Sequence, residues 1–215
     1  MFDLPTLSFR LSGQSPLLCH NGQTADPRNS YVKAMKAISG KRKKTDADLE
    51  ELSRIEWLAG LYRTADDLVI TSHVLESAFV AGAKKSKRGP QAKSGLFVPD
   101  HASLQFEGKP SVINDETLQQ MYESDAFTFT CGVRVNMSKV MRTRPMFKDW
   151  SLVVTVQYDP DLLNPQEVKD FIADAGRQVG IGDWRPKYGR FTATPVEQPV
   201  VIPDAVPLTL GTLFG

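Results

Sequence analysis

The chain has 215 residues, 41% of them hydrophobic and 24% charged, a composition ordinary for a globular protein with room for one elaborated domain or two small ones. A formal net charge of +1 excludes a polycation, and no apolar run approaches the roughly 18–20 residues of a membrane span. The start Met1-Phe2-Asp3-Leu4-Pro5 lacks the basic and apolar stretches of a secretory signal, so the expected location is the cytoplasm, with no membrane partner.

Residues 6–11 alternate as an opening strand. Residues 12–30 are rich in turn formers and read as a long loop that holds His20-Asn21-Gly22. A short helix is expected over 31–38, ended by Gly40 and the basic block Lys41-Arg42-Lys43-Lys44. Thr45 then offers an N-cap with Asp46 and Asp48 in the first turn, and Leu49, Leu52, Ile55 and Leu58 carry helical spacing to about residue 61. Residues 72–85 predict a second helix, capped by Ser72, with Val74, Leu75, Ala78 and Phe79 on its apolar face. Gly89-Pro90 and Gly95 then predict an exposed, mobile loop carrying Lys84, Lys85, Lys87, Arg88 and Lys93 with no acid among them. Strand-like pieces at 95–98 and 102–106 and a short helix at 115–122 follow.

Residues 127–135 alternate Phe127, Phe129, Cys131, Val133 and Val135 on one face and read as a strand. Residues 136–150 read as a connection in which Arg142 and Arg144 flank Thr143 in a turn before the core strand 152–158. A helix over 165–179 starts with proline and turns Val168, Phe171, Ile172 and Ala175 inward. The last strand is expected at 190–194, and the prolines at 199, 203 and 207 give an extended tail. The order strand, inserted helices, helix, strand, strand, helix, strand predicts an α+β fold with a ferredoxin-like, RRM-like β-α-β-β-α-β core. It occupies residues 1–198, with inserted helices at 12–68 and the basic loop at 83–95, and leaves 199–215 as the tail.

Residues 176–191 concentrate the chemistry. Gly176, Gly180, Gly182 and Gly189 stand among Arg177, Arg185, Lys187 and Arg190, with the rings of Trp184, Tyr188 and Phe191. Glycine lets backbone N–H groups approach phosphate oxygens, and cations and aromatic faces complete what a single nucleic-acid strand needs. Trp184 is expected to pack into the core ahead of stacking on a base. Segregated basic clusters in a near-neutral chain can line a basic groove, with the loop lysines and Arg88 on one side and Arg142 and Arg144 adding to it.

Other chemistries have weaker support. His20 is the best of three histidines for a general base, with Asp26 near it in sequence, but a loop-bonding role competes. Cys19 and Cys131 form no Cys-x-x-Cys pair, so no zinc is expected, and Cys131 reads as a small core residue. The phosphate loop of nucleotide triphosphatases is missing, and no cofactor or metal is expected.

The element order, with Gly180-Ile181-Gly182 and Gly189-Arg190-Phe191 before the last strand, resembles the RAMP superfamily of RNA-binding proteins in CRISPR effector complexes. Leu17-Leu18-Cys19-His20-Asn21-Gly22, Asp26-Pro27, Lys44-Thr45-Asp46 and residues 142–150 look like a group of phage-encoded proteins distantly related to the backbone subunit of those complexes. The resemblance implies a non-enzymatic protein of the bacterial host cytoplasm that coats single-stranded RNA or DNA as a helical homo-oligomer. Other phage or CRISPR-type subunits are possible partners. The chain departs from the backbone subunit in having little room for a large thumb and no acidic residue clearly placed to cut a target. Two alternatives stand beside it: a RAMP-type endoribonuclease using His20, and a protein-interaction subunit that interferes with a host CRISPR complex.

Overall fold

A computed structural model describes residues 4–135 and 137–196. In chain order the strands are β1 Thr6–Gly13, β2 Leu17–Leu18, β3 Val69–Ile70, β4 Leu96–Phe97, β5 Ala102–Ser103, β6 Gln105–Phe106, β7 Thr128–Val135, β8 Ser138–Phe147, β9 Trp150–Tyr158 and β10 Phe191–Val196. The helices are α1 Ser30–Ser39, α2 Asp46–Gly60, α3 Ser72–Ala83, α4 Gly89–Gly95, α5 Asp115–Glu123 and α6 Pro165–Asp174. The fold is mixed α+β with antiparallel sheets. Among the described residues no helix is long and apolar enough to cross a membrane.

The main sheet runs β10-β1-β9, and β4 and β6 pair with the two ends of β9 along its far edge. The two-residue period of a strand puts Phe9 and Leu11 of β1 opposite Val154 and Leu152 of β9, all buried. On the other face Arg10 and Val153 are exposed. Leu75 and Phe79 of α3 and Phe171 and Ile172 of α6 share one apolar core with the buried face.

Helices α3 and α6 cross closely. A Cβ on Gly82 would lie 2.2 Å from the Phe171 carbonyl oxygen and 2.7 Å from the Ala175 nitrogen. Asn164 fixes the start of α6: its side chain accepts from the amides of Gln166 and Glu167, and Glu167 returns a bond to the Asn164 amide. The far end of α6 widens into a π-helical turn at Ala175–Val179 before Gly180.

A second sheet, β2-β8-β7, lies under α2. Thr45 and Asp48 form a capping box at the start of α2, as the first-turn acids imply. Trp57 is fully buried and donates its indole N–H to the Phe127 carbonyl at 2.9 Å. Buried Thr143 shares hydroxyl contacts with Ser53 at 2.6 Å and Thr130 at 3.1 Å.

Several expectations change. Residues 136–150 are not a turn-like connection: β8 pairs with β7 along its length, and Arg142 and Arg144 sit on this strand. Pro145 still pairs with Thr128, the first residue of β7, and its carbonyl accepts the Cys19 amide, so its missing N–H lies on the side facing away from β7, just past β2, where no ladder bond is lost. Strand β7 therefore belongs to the second sheet, and the outer position of the main sheet falls to the two-residue strands β4 and β6. The basic stretch 84–95 is not an irregular loop. A 3-10 turn, Lys84–Ser86, leads into α4, where Pro90 occupies a first-turn position that needs no N–H and Gly89, Ala92 and Gly95 are buried. Thr71, not Ser72, is the cap residue of α3, and its side chain makes no capping bond. Cys131 is only half-buried, on the β7–β8 hairpin, whose Met137 and Met141 are exposed. The tail 199–215 lies outside the described residues.

Gly82→Ala should lower folding stability by about 1–3 kcal/mol or more, the usual cost of forcing atoms into a filled interface. Gly22→Ala is the control, because nothing lies within 4 Å of the Cβ it would add. Urea denaturation reads both; a Gly82→Ala chain as stable as its parent would contradict the helix crossing described above.

Candidate nucleic-acid interface

The exits of α3 and α6 meet at one cleft of about 690 Å³. Lys84 and Lys85 line it from the α3 side; Gln178, Gly182, Asp183, Trp184 and Arg185 line it from the segment after α6. Lys84, Lys85, Trp184 and Arg185 are all exposed. The ammonium of Lys187 stands 5.2 Å from the Trp184 ring centre and 5.6 Å from that of Tyr188, within cation–π range.

The rings form a cluster. Phe129 of β7 lies 6.2 Å from Trp184 and 5.7 Å from Tyr188, and Trp184 and Tyr188 are 5.7 Å apart, centre to centre. Trp184 is 49% exposed and has φ of +54°, a left-handed backbone that costs a bulky residue roughly 1–3 kcal/mol. It is held at the surface, not folded into the core.

The glycines do a different task from the one expected of them. Gly189 has φ of +72°, and a Cβ there would lie 1.8 Å from the Ile181 carbonyl oxygen; one on Gly182, φ +79°, would lie 2.4 Å from that of Leu18. The amides of Ile181, Asp183 and Gly189 donate to Gly189, Leu18 and Pro16 carbonyls at 2.9, 2.7 and 2.8 Å. These glycines let the segment cross itself and β2, and these three N–H groups are spent inside the protein.

The cations expected in a single groove divide among three clefts. Arg142 and Arg144 line a second cleft, of about 260 Å³, with His20, Thr24, Met35, Glu56 and Thr143. Here each arginine is already paired: Arg142 with Glu56, and Arg144 with Asp183 at 2.9 Å. Glu56 also accepts the Thr143 amide at 3.0 Å. Because Asp183 lines the first cleft and Arg144 the second, that ion pair is their common wall. Arg88 and Arg190 face a third cleft, of about 950 Å³, beside Glu167, Asp170 and Asp174. Arg88 pairs with Glu167 at 2.9 Å and donates to the Leu162 carbonyl at 3.1 Å, so it anchors α4 to α6. Lys87 and Lys93 are exposed but line none of these clefts.

Residues that the sequence did not single out complete the first two clefts. Phe129, though it lines neither cleft, backs the exposed Trp184 ring and the half-buried Tyr188 ring, and its place in an alternating strand already put it on one face with Cys131. Glu56 and Asp183 set the charge of the arginines, but a carboxylate on a helix and one in a loop give no sign in sequence that they meet Arg142 and Arg144.

His20 has the environment of a neutral imidazole. Loss of water on its inner side, then the charges of Arg144 and Arg142, hold its pKa below the ordinary value against the pull of Asp183 and Glu56. Asp26, its neighbour in sequence, instead pairs with Arg28 at 3.2 Å. The Tyr62 hydroxyl donates to the His20 carbonyl at 2.9 Å, and burial first, then nearby Cys19 and Asp183, pushes that phenol up to about 12.

Comparison with protein-family models finds no matching family, and comparison with curated proteins finds no matching sequence.

The lowered pKa of His20 has a definite sign. Unfolded chains take up a proton on histidine near pH 6.5, whereas folded His20 takes it up only at lower pH, so stability falls as pH drops through that window. His20→Asn removes the titration. The stability of the parent relative to this variant should decline between pH 7.5 and pH 5.5; a difference that stays flat contradicts the assignment.

Proposed function

We propose that the chain binds single-stranded RNA or DNA through its phosphates at the cleft between the exits of α3 and α6. The observation that carries this reading is the convergence of Lys84 and Lys85 with Arg185 and the exposed Trp184, with Lys187 above the Trp184 and Tyr188 rings. Cations from both sides of the cleft, with one exposed indole beside them, suit a strand whose backbone is neutralised while a base rests on an aromatic face. Asp183 does not spoil the cleft for an anion, because Arg144 already neutralises it.

The strand order favours the ferredoxin-like reading. With β4 and β6 together as one interrupted strand, the sheet reads fourth, first, third, second, and α3 and α6 are the two crossover helices. The parts outside that core are then two insertions, residues 14–68 and 107–149. This arrangement, with the glycine segment between the last helix and the last strand, supports the likeness to RAMP proteins and to an assembly that lines up along a strand. Within this reading the contacts are Lys84, Lys85, Arg185, Lys187, Trp184 and Tyr188; Arg88 and Arg142 are structural.

A second reading rests on the neighbouring cleft. His20, its pKa held below the ordinary value, stands beside Arg142, Arg144 and Glu56, a setting for proton transfer during RNA cleavage. The two readings separate on end-labelled RNA: cleavage by the parent that His20→Ala abolishes without loss of binding supports the enzyme, and an RNA left intact by the parent dismisses it.

Binding is tested by fluorescence polarisation on a labelled single-stranded oligonucleotide across a salt series. Replacing Lys84 and Lys85 by Gln, or Arg185 and Lys187 by Gln, should weaken binding to every sequence and reduce the salt slope by about one per lysine or arginine removed. Trp184→Ala should cost about 1–3 kcal/mol, the range for one stacked base. No binding at low salt, or slopes unchanged in both double variants, would overturn the proposal.

A further inference from the structure

The cleft beside the candidate interface holds about 260 Å³, less than the roughly 300–1,000 Å³ of sites that take drug-sized molecules. A group the size of a single heterocycle suits it. Half-buried Met35 of α1 offers an apolar wall to a flat ring, and the rest of the lining is polar.

Two groups in that lining have hydrogen-bonding capacity to spare. Glu56 of α2 leaves only 10% of its side chain in water. Its Oε1 accepts from Arg142 and its Oε2 from the Thr143 amide. A carboxylate has about four lone-pair sites, so each oxygen keeps room for one more donor. Arg144 lies two residues along the same face of β8 from Arg142, about 6.6 Å by strand geometry. Its Nε stands 2.9 Å from Asp183 Oδ2. A guanidinium carries five N–H groups in a rigid fork, so a pair made through Nε leaves the two terminal nitrogens able to donate side by side. The cleft thus sets a pair of acceptors, held by Arg142 and Thr143, near a pair of donors, held by Asp183.

Among the bases only guanine matches both pairs. Its O6 and N7 are neighbouring acceptors, the partners of an arginine fork. Its N1–H and N2–H are neighbouring donors, which a carboxylate receives with both oxygens. Adenine sets one donor beside one acceptor on each edge. Cytosine has an acceptor pair, N3 and O2, but a single donor group. Uracil and thymine place one N–H between two carbonyls.

We propose that this cleft receives a guanine base, with Glu56 accepting from N1–H and N2–H and Arg144 donating to O6 and N7. This guanine site rests on the proposed strand binding, because the Arg144–Asp183 pair is the common wall of the two clefts. A nucleotide next to the one on Trp184 turns its base across that wall. Phosphate contacts in the first cleft are blind to sequence, and the second cleft adds a preference. Arg142 and Asp183 act as positioning residues.

Polarisation is read on labelled oligouridine with and without one central guanine. The guanine strand should bind the parent chain about tenfold more tightly, within the range for one good two-bond base contact. Inosine, which lacks the N2 amino group, and 7-deazaguanine, which lacks N7, should each lose most of that gain. Glu56→Gln should abolish the distinction between guanine and inosine, and Arg144→Gln that between guanine and 7-deazaguanine. These ratios are unaffected by a general loss of affinity, such as the one expected when Arg144→Gln leaves Asp183 unpaired. Adenine or cytosine serving as well as guanine, or both analogues binding like guanine, would overturn the guanine site while strand binding stands. Should a variant fail to fold, the analogues on the parent chain decide. Should no strand bind, strand binding falls by itself and guanosine 5′-monophosphate decides the cleft. Its saturation transfer in ligand-observed NMR should exceed that of the adenosine, cytidine and uridine monophosphates; equal or absent transfer would overturn the guanine site as well.

Discussion

The close crossing of α3 over α6 is the constraint on which the candidate interface depends. With no room for a Cβ between Gly82 and the backbone at Phe171 and Ala175, the two helices are held at a fixed approach near their C-terminal ends. Lys84 and Lys85 follow α3 directly, and the segment that carries Trp184 and Arg185 follows α6 through the π-helical turn. Packing chosen by a glycine in the core thus sets two chain exits side by side at the surface. The Arg88–Glu167 pair reinforces this registration from the other side, tying the start of α4 to α6.

Rigid support and exposed chemistry are divided within residues 180–190. Gly182 and Gly189 adopt backbone angles that side chains resist and let the chain cross itself and β2, with amides bonded inward. The framework they make holds Trp184 in an unfavourable conformation with about half its surface in water, backed by Phe129 and Tyr188. Energy spent on keeping a large ring at the surface is hard to explain by folding alone, since burial of an indole is normally favourable. Under the proposed function, a base stacked on the ring accounts for it.

Local chemistry was legible in the sequence and long-range pairing was not. The Thr45 cap, the proline start of α6 and the alternation of β1, β7 and β9 follow from neighbours in the chain, and each element forms near its expected place. Strand β8 escaped because Lys139, Arg142, Arg144 and Pro145 break the apolar rhythm, while its stability comes from partners on β7, β2 and α2. Helix α4 escaped because Gly-Pro reads as a stop, although proline fits a first turn well. For the site, residue type identified the cations and rings of residues 184–188. What it could not reveal was which arginines would meet a carboxylate: Arg142, Arg144 and Arg88 find Glu56, Asp183 and Glu167 only once the chain has folded.

Photo-crosslinking of a bound single strand, followed by peptide mapping, tests the location of the interface most directly. The account predicts adducts in two peptides, one containing Lys84–Ser86 and one containing Trp184 and Tyr188. Adducts confined to the β7–β8 hairpin or to the exposed face of the main sheet, with those two peptides unmodified, would contradict it.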